Sequence, residues 1–432
     1  MSIFYLLSFL LNKFTSSKLR PPLPPGPKPL PYVGSIISML QNKPTFRWIH
    51  RMMDQMNTKI LCIRLGNVHV IVVSDPDIAV EFLKDKDGIF SSRPDTMSGY
   101  LTSGGYLDTA LAPMGDHWMK MRKMLSREIL SVTRHKWLLN KRNEEDENIL
   151  RYINNQCKTN HGVTKKLINV RILAQQYTTN MVRKLIFGGR YFGKGSQDGG
   201  PGEEEIEHAD SLWTILAYLN AFCVTDYLPW LRWITDFDGH EKIIRNAIVT
   251  ARKYQDPLII ERIQQWKDGV RTEQDDLLDV LITLENPQLT ADEIKAQILD
   301  IILAGFDNVS NNIEWAMAEM INEKSIFDKA VCELDFVVGN DRLVYESDLK
   351  NLNYINILCE GGFQVGEGVL QCRWAQTMTT MLLARIVQGF TWELPLNEPL
   401  DDLKGNFHDL AKVKPLLALA KPRLANHLYP SS

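Results

Sequence analysis

The sequence has no CxxC pair. Its six cysteines, Cys62, Cys157, Cys223, Cys332, Cys359 and Cys372, are scattered over 432 residues. That argues against a disulfide framework or a zinc site and fits a reducing compartment. An excess of one charge is missing too. With 49 basic and 52 acidic residues the net charge is −3, which gives no support to a nucleic-acid partner. There is no long hydrophobic run. The greasiest stretch, Ile3 to Leu11, falls well short of the roughly 20 apolar residues that span a bilayer. No basic residue precedes it and no small-residue cleavage site is evident, so it does not read as a secretory signal. No internal repeat is present. The 44% hydrophobic content supplies ample core for one large domain or two or three small ones.

The longest stretch without a proline break and with sustained helical spacing is Thr290 to Glu323. Thr290 and Glu293 form a capping box at its start, and Ile294, Ile298, Ile301, Ile302, Trp315, Ala316 and Met320 keep the period. A helix from Ala291 to Asn322 would rise roughly 48 Å, enough to cross a domain. Ala304-Gly305-Phe306-Asp307-Asn308 breaks the pattern at its centre. Glycine costs a helix interior about 1 kcal/mol, and a buried aspartate needs a partner. Two readings stand: a kink where another helix crosses closely, or a helix opened so that a ligand lies over small residues beside a carboxylate and an amide.

Elsewhere the chain reads in order. Lys13, Lys18 and Arg20 follow the short apolar run and favour a cytosolic flank. Pro21 to Pro27 is a stiff, extended segment. Lys59 to Ser74 alternates with β-branched residues and turns at Gly66-Asn67, a hairpin. Asp75-Pro76 stops it, a helix starts at Ile78, and Phe90-Ser91-Ser92-Arg93-Pro94 closes this β-rich region. Trp118 and Arg122 share one helix face, so an indole N–H and a guanidinium could together bind a carboxylate; a half-buried tryptophan beside a surface arginine is the plainer account. Residues 135–285 are mostly helical, interrupted by a glycine-rich connection at Gly193–Gly202 that makes no phosphate cradle. Asp226 to Trp233 is apolar enough to be core, a substrate entrance or a lipid contact. Ile326 to Val338 reads as a further helix ending at Gly339.

Several of these stretches resemble the haem-thiolate monooxygenases, the cytochrome P-450 superfamily. Ala304-Gly305-x-Asp307 followed by a polar residue is similar to its oxygen-activation segment, with Asn308 in place of the usual Thr. Asp307-Asn308-x-Ser310-Asn311 and Glu314-Trp315 resemble the plant branch that N-hydroxylates amino acids and releases aldoximes. The resemblance implies a mainly α fold with a small β-rich lobe. It also implies a short membrane anchor with its basic flank over residues 1–20, a proline-rich hinge at 21–34 and one catalytic domain over 35–432. By the same resemblance the cofactor is haem. Trp118 and Arg122 would hold its propionates, Ala304 and Gly305 would lie against it, and Asp307 and Asn308 would serve proton delivery and oxygen placement. Electrons would come from NADPH through a cytochrome P-450 reductase. The substrate would be an amino acid, and the place of work the cytosolic face of the endoplasmic reticulum membrane.

The likeness fails after Cys359. No E-x-x-R pair and no P-E-R-F segment follow, and the haem loop F-x-x-G-x-R-x-C-x-G is reduced to Phe363-Gln364-Val365-Gly366. Gly368 stands where the arginine belongs and Leu370 where the thiolate belongs; Cys372 comes two residues late. From Thr377 the likeness resumes. A lost exon or misplaced splice junction, read back in another frame, would produce such an interruption. The fold is thus expected to be incomplete near the haem loop, leaving much of the central helix without its partner. Three functional readings follow: a monooxygenase, a catalytically dead remnant of one, or a helical binding module unrelated to haem.

Overall fold

The computed structural model describes residues 22–42, 45–158, 166–197, 199–219, 221–233, 236, 239–360, 372–395 and 412–430. The expected anchor at 1–20 and the altered haem loop at 361–371 lie outside the described residues. The chain divides into two compact units, one of residues 1–91 with 224–235, the other of residues 92–223 with 236–432.

In the first unit, alternation and a Gly66-Asn67 turn give the expected hairpin, β1 (Ile60–Leu65) against β2 (Val68–Val73), with Leu65 opposite Val68. Gly66 adopts φ +57°, a conformation open to glycine at no steric cost. The proline-rich segment runs beside β1: the Cys62 amide donates to the Pro25 carbonyl at 2.8 Å. A Cβ on Gly26 would sit 1.8 Å from the Cys62 carbonyl oxygen, so that approach needs glycine. After the hairpin, Asp75 caps the helix Pro76–Val80 by accepting from the amides of Asp77 and Ile78, as its residue type favours.

Among the described residues β2 pairs only with β1, and Val68 and Ile71 are exposed. An unpaired edge reading Val-His-Val-Ile-Val-Val, without charge or proline, is a template for pairing with another chain. Ile71→Lys is therefore expected to reduce self-association in light scattering while shifting stability by no more than about 0.5 kcal/mol. Unchanged association would show that the edge is not the sticky surface.

The second unit is helical. Its principal elements are α1 (Asp116–Met124), α2 (Leu139–Lys158), β3 (Lys166–Asn169), α3 (Val170–Phe187), α4 (Glu203–Leu219), α5 (His240–Lys267), α6 (Leu277–Ile282), α7 (Ala291–Asn322), α8 (Lys324–Val337), α9 (Asn353–Glu360), α10 (Cys372–Gly389), β4 (Phe390–Glu393) and β5 (Leu417–Pro422). β5 is the middle strand of an antiparallel sheet, with Leu167 opposite Leu419 on one side and Trp392 opposite Ala420 on the other. The mainly α fold with a small β portion is as expected. Among the described residues no helix is long and apolar enough to cross a membrane.

The central helix α7 has its capping box: Glu293 N donates to Thr290 Oγ1 at 3.2 Å, and Thr290 N to Glu293 Oε2 at 2.8 Å. It runs without interruption through Ala304–Asn308. It also has its packing partners, contrary to the expectation of a stranded helix. α3, α10, α8 and α9 all pack against it, and residues from Ile294 to Met320 form its part of a single large core.

Candidate cofactor-binding site

Midway along this otherwise buried helix the cover thins. Ala304, Gly305 and Asp307 are half-buried and Asn308 is exposed, whereas Ile301–Leu303, Phe306, Val309 and Ser310 are buried. Ala304, Asp307 and Asn308 stand three and four positions apart and so share one face. Gly305 points elsewhere. A Cβ there would come 2.8 Å from Val182 Cγ2 on α3. The close-crossing reading thus describes Gly305, while the face beside it is open although the helix itself is intact. Phe306, fully buried, packs edge-on against Trp213 of α4 with ring centroids 4.9 Å apart. Asn311 Nδ2 donates to Asp307 Oδ1 at 2.5 Å, which fixes the carboxylate at the margin of the open face.

α1 lies against the first turns of α7. Lys120 Nζ is 2.5 Å from Glu293 Oε1 and His117 Nδ1 is 3.6 Å from it, so the capping carboxylate also docks α1. Burial pulls against the Glu293 charge, but the Lys120 ammonium and the Thr290 amide outweigh it and lower its pKa. On α1, Trp118 and Arg122 share a face as their spacing requires: the Arg122 guanidinium lies 5.8 Å from the indole centroid. Arg93, which sequence reasoning passed over, lies 5.3 Å from the same ring. Trp118 Nε1 is buried with no hydrogen-bond partner among the described residues, an arrangement that normally signals a missing acceptor. Burial first, and then the Arg93 charge, lower the Arg122 pKa. An indole N–H and two guanidiniums crowded together are stabilised by an anion. The only hint of Arg93 in the sequence was its place before Pro94.

The cysteines do not converge on this region in the same way. Cys62 belongs to the first unit. Cys157 is buried on α2, donates to the Ala420 carbonyl at 3.5 Å and has its thiol pushed up to about 11 by burial. Cys223 is buried and Cys332 is exposed on α8. Cys359 is buried on α9, where its carbonyl accepts from Asn312 Nδ2 at 3.0 Å. Cys372 begins α10, and its side chain lies outside the described residues. Among the described residues no cluster of three or more metal-binding side chains occurs.

A thinly covered helix face at Ala304, Asp307 and Asn308 and a buried indole N–H beside two guanidiniums suit a protein that holds a large, acidic prosthetic group. The chain belongs to the cytochrome P450 family, whose description matches residues 24–360. It is 45% identical to valine N-monooxygenase 1 of Manihot esculenta, over 98% of this chain and 91% of that protein. It is 41% identical to the phenylalanine N-monooxygenase of Arabidopsis thaliana, over 95% and 93%, and 40% identical to the tyrosine N-monooxygenase of Sorghum bicolor, over 95% and 88%. The first of these alignments runs over 500 positions, more than the 432 residues of this chain; dozens of the relative's positions therefore have no counterpart here.

Haem, reduced by NADPH through a reductase, is the family's cofactor. The residues present fit its carboxylate edge, where Trp118 Nε1 lacks an acceptor. Residues 361–371 and the Cys372 side chain, where an iron ligand would be sought, lie outside the described residues.

Proposed function

We propose that this chain carries the scaffold of a haem-dependent amino-acid N-monooxygenase, whose reaction hydroxylates the substrate's amino nitrogen toward an aldoxime. The observation that carries this reading is near-full-length similarity to enzymes that all N-hydroxylate amino acids. Trp118 and Arg122, with Arg93 beside them, would hold the haem carboxylates by charge-assisted hydrogen bonds. Ala304 keeps side-chain bulk off the open face, and Gly305 lets α3 approach beside it at Val182. Asp307, oriented by Asn311, and the exposed Asn308 would hold water and pass protons there. The cofactor, when ligated by a thiolate, supplies the oxygen activation. The partners are a cytochrome P-450 reductase and the cytosolic surface of the endoplasmic reticulum membrane, with residues 1–20 as a short anchor, 21–34 as the hinge and 35–432 as the catalytic body.

A second reading, a catalytically dead remnant, is favoured by the end of the family match at residue 360 and by the altered haem-loop sequence after Cys359. A ligand held to a few tenths of an ångström depends on the loop around it. Purified protein incubated with haem, reduced and exposed to carbon monoxide is expected to show no thiolate-type Soret band, and Cys372→Ser to leave the spectrum unchanged. A thiolate band that disappears in Cys372→Ser would overturn the remnant reading and make Cys372 the iron ligand.

A further inference from the structure

The turn Asp108–Ala112 is bound to the central helix by a set of side-chain contacts outside the helix's own hydrogen bonding. Asp300 Oδ2, one turn before Ala304, accepts from the amides of Thr109 at 3.3 Å and Ala110 at 3.2 Å. Gln297 Nε2 donates to the same oxygen at 3.1 Å, while its Oε1 accepts from Thr109 Oγ1 at 2.6 Å. From the other side Arg93 Nε donates to the Ala110 carbonyl at 3.0 Å. Arg93 is also the guanidinium that lies over Trp118. One turn of chain is thus shared between an acidic residue of α7 and an arginine that borders the proposed carboxylate edge.

Asp108 makes this set unusual. It is 2% exposed, its Oδ1 accepts from the Leu111 amide at 3.2 Å, and it lies within electrostatic reach of Asp300. Two carboxylates buried together cannot both ionise without strong repulsion. We propose that Asp108 and Asp300 form a proton-dependent latch, which holds the 108–112 turn on the central helix when protonated and releases it, with Arg93, when both groups are charged. The latch is a property of this chain's own residues and stands whether or not haem binds.

Burial, with the neighbouring carboxylate next in importance at Asp108, pushes both groups up from the ordinary aspartate range towards neutral pH. At Asp300 the amides of Ala110 and Thr109, Gln297 and the Arg93 charge oppose the rise. Other charged groups nearby have partners or a different neighbour: Glu293 is held by Lys120 and His117, Lys295 by Asp256, and Arg252 of α5 faces Gly104. Because the docked groups have raised pKa values, docking takes up protons. It is strongest below the ordinary aspartate range and is lost as pH rises through the raised values, by up to about tenfold per pH unit for each proton taken up.

Hydrogen exchange at the amides of Thr109, Ala110 and Leu111, corrected for the intrinsic rate at each pH, tests this on the full-length apo chain. Protection about tenfold stronger near pH 6 than near pH 8 is expected in the wild type. Asp108→Asn keeps the side-chain carbonyl for Leu111 and removes one charge, so its protection should stay high and nearly flat with pH. Asp300→Asn likewise keeps a side-chain carbonyl for the Thr109 and Ala110 amides and removes one charge, so its slope with pH should also flatten. Quenching of Trp118, taken as the difference from Trp118→Phe, should follow the same pH profile, since Arg93 moves with the turn. If wild-type protection is flat between these pH values, or Asp108→Asn keeps the full slope, the latch does not exist. A thermal melt of each variant separates loss of the latch from loss of the fold: a variant that melts as the wild type yet keeps the slope counts against the proposal.

Discussion

Asp279→Ala is expected to destabilise the helical unit by about 3–5 kcal/mol, the range for breaking a buried charged network by removing one partner. Asp279 is fully buried on α6. Its Oδ1 accepts from Arg262 Nη1 at 2.9 Å and Trp266 Nε1 at 2.8 Å, and its Oδ2 from Arg271 Nε at 2.9 Å, Arg271 Nη2 at 2.7 Å and the Asp275 amide at 2.9 Å. Alanine would leave donors from α5 and from the connection after it facing a void. Burial works to raise the Asp279 pKa, but Arg271, Trp266, the Asp275 amide and Arg262 outweigh it and hold it at about 2. A depressed carboxyl stabilises the fold above the ordinary aspartate range, and that contribution is lost as pH falls through about 2. Urea unfolding of the wild type should therefore weaken progressively below about pH 4, and Asp279→Asn should lose part of that dependence. A loss under about 1 kcal/mol in the alanine variant would show that the arginines find other partners.

Glu314→Ala should have an effect of similar size, about 3–5 kcal/mol. Glu314 projects from the second half of α7 with no exposed side-chain surface. Its Oε2 accepts from Arg171 Nε at 2.8 Å and its Oε1 from the Leu416 amide at 2.8 Å. Arg171 also donates to the Lys412 carbonyl. The carboxylate joins the central helix to the start of α3 and to the chain entering β5. Its loss should free the Leu416 amide to exchange and leave the α7 capping box protected. The double variant Glu314→Leu with Arg171→Leu should recover much of the stability, because replacing both members of a buried pair with apolar groups is often nearly neutral. If the single and double variants are equally unstable, packing rather than the ion pair carries the effect.

Glu314 also shows what a motif conceals. In the sequence, Glu314-Trp315 entered only as part of the resemblance to the amino-acid N-hydroxylating branch. In the fold its carboxylate is spent on holding α7 to α3 and β5. Glu293 was legible as a cap, because the Thr-x-x-Glu spacing is local, but its hold on Lys120 and His117 was not. Arg93 was quoted only as part of a boundary, since nothing within a few residues shows that it meets Trp118. Asp108 and Asp300 lie in separate stretches that give no sign of each other. Gly305 offered two readings from one spacing, and only the position of Val182 on α3 separates them.

The sequence by itself determined the helix from Ala291 to Asn322, the hairpin at Gly66-Asn67, the shared face of Trp118 and Arg122, and the family, because each is written in periodicity, capping or motif within a short span. It also displayed the departure after Cys359. The tertiary structure alone decided which face of the central helix stays open, which charges are buried together and where the placed cysteines sit. Those outcomes depend on which distant segments pack against a given side chain, and burial sets both the energy of a charge and its need for a partner.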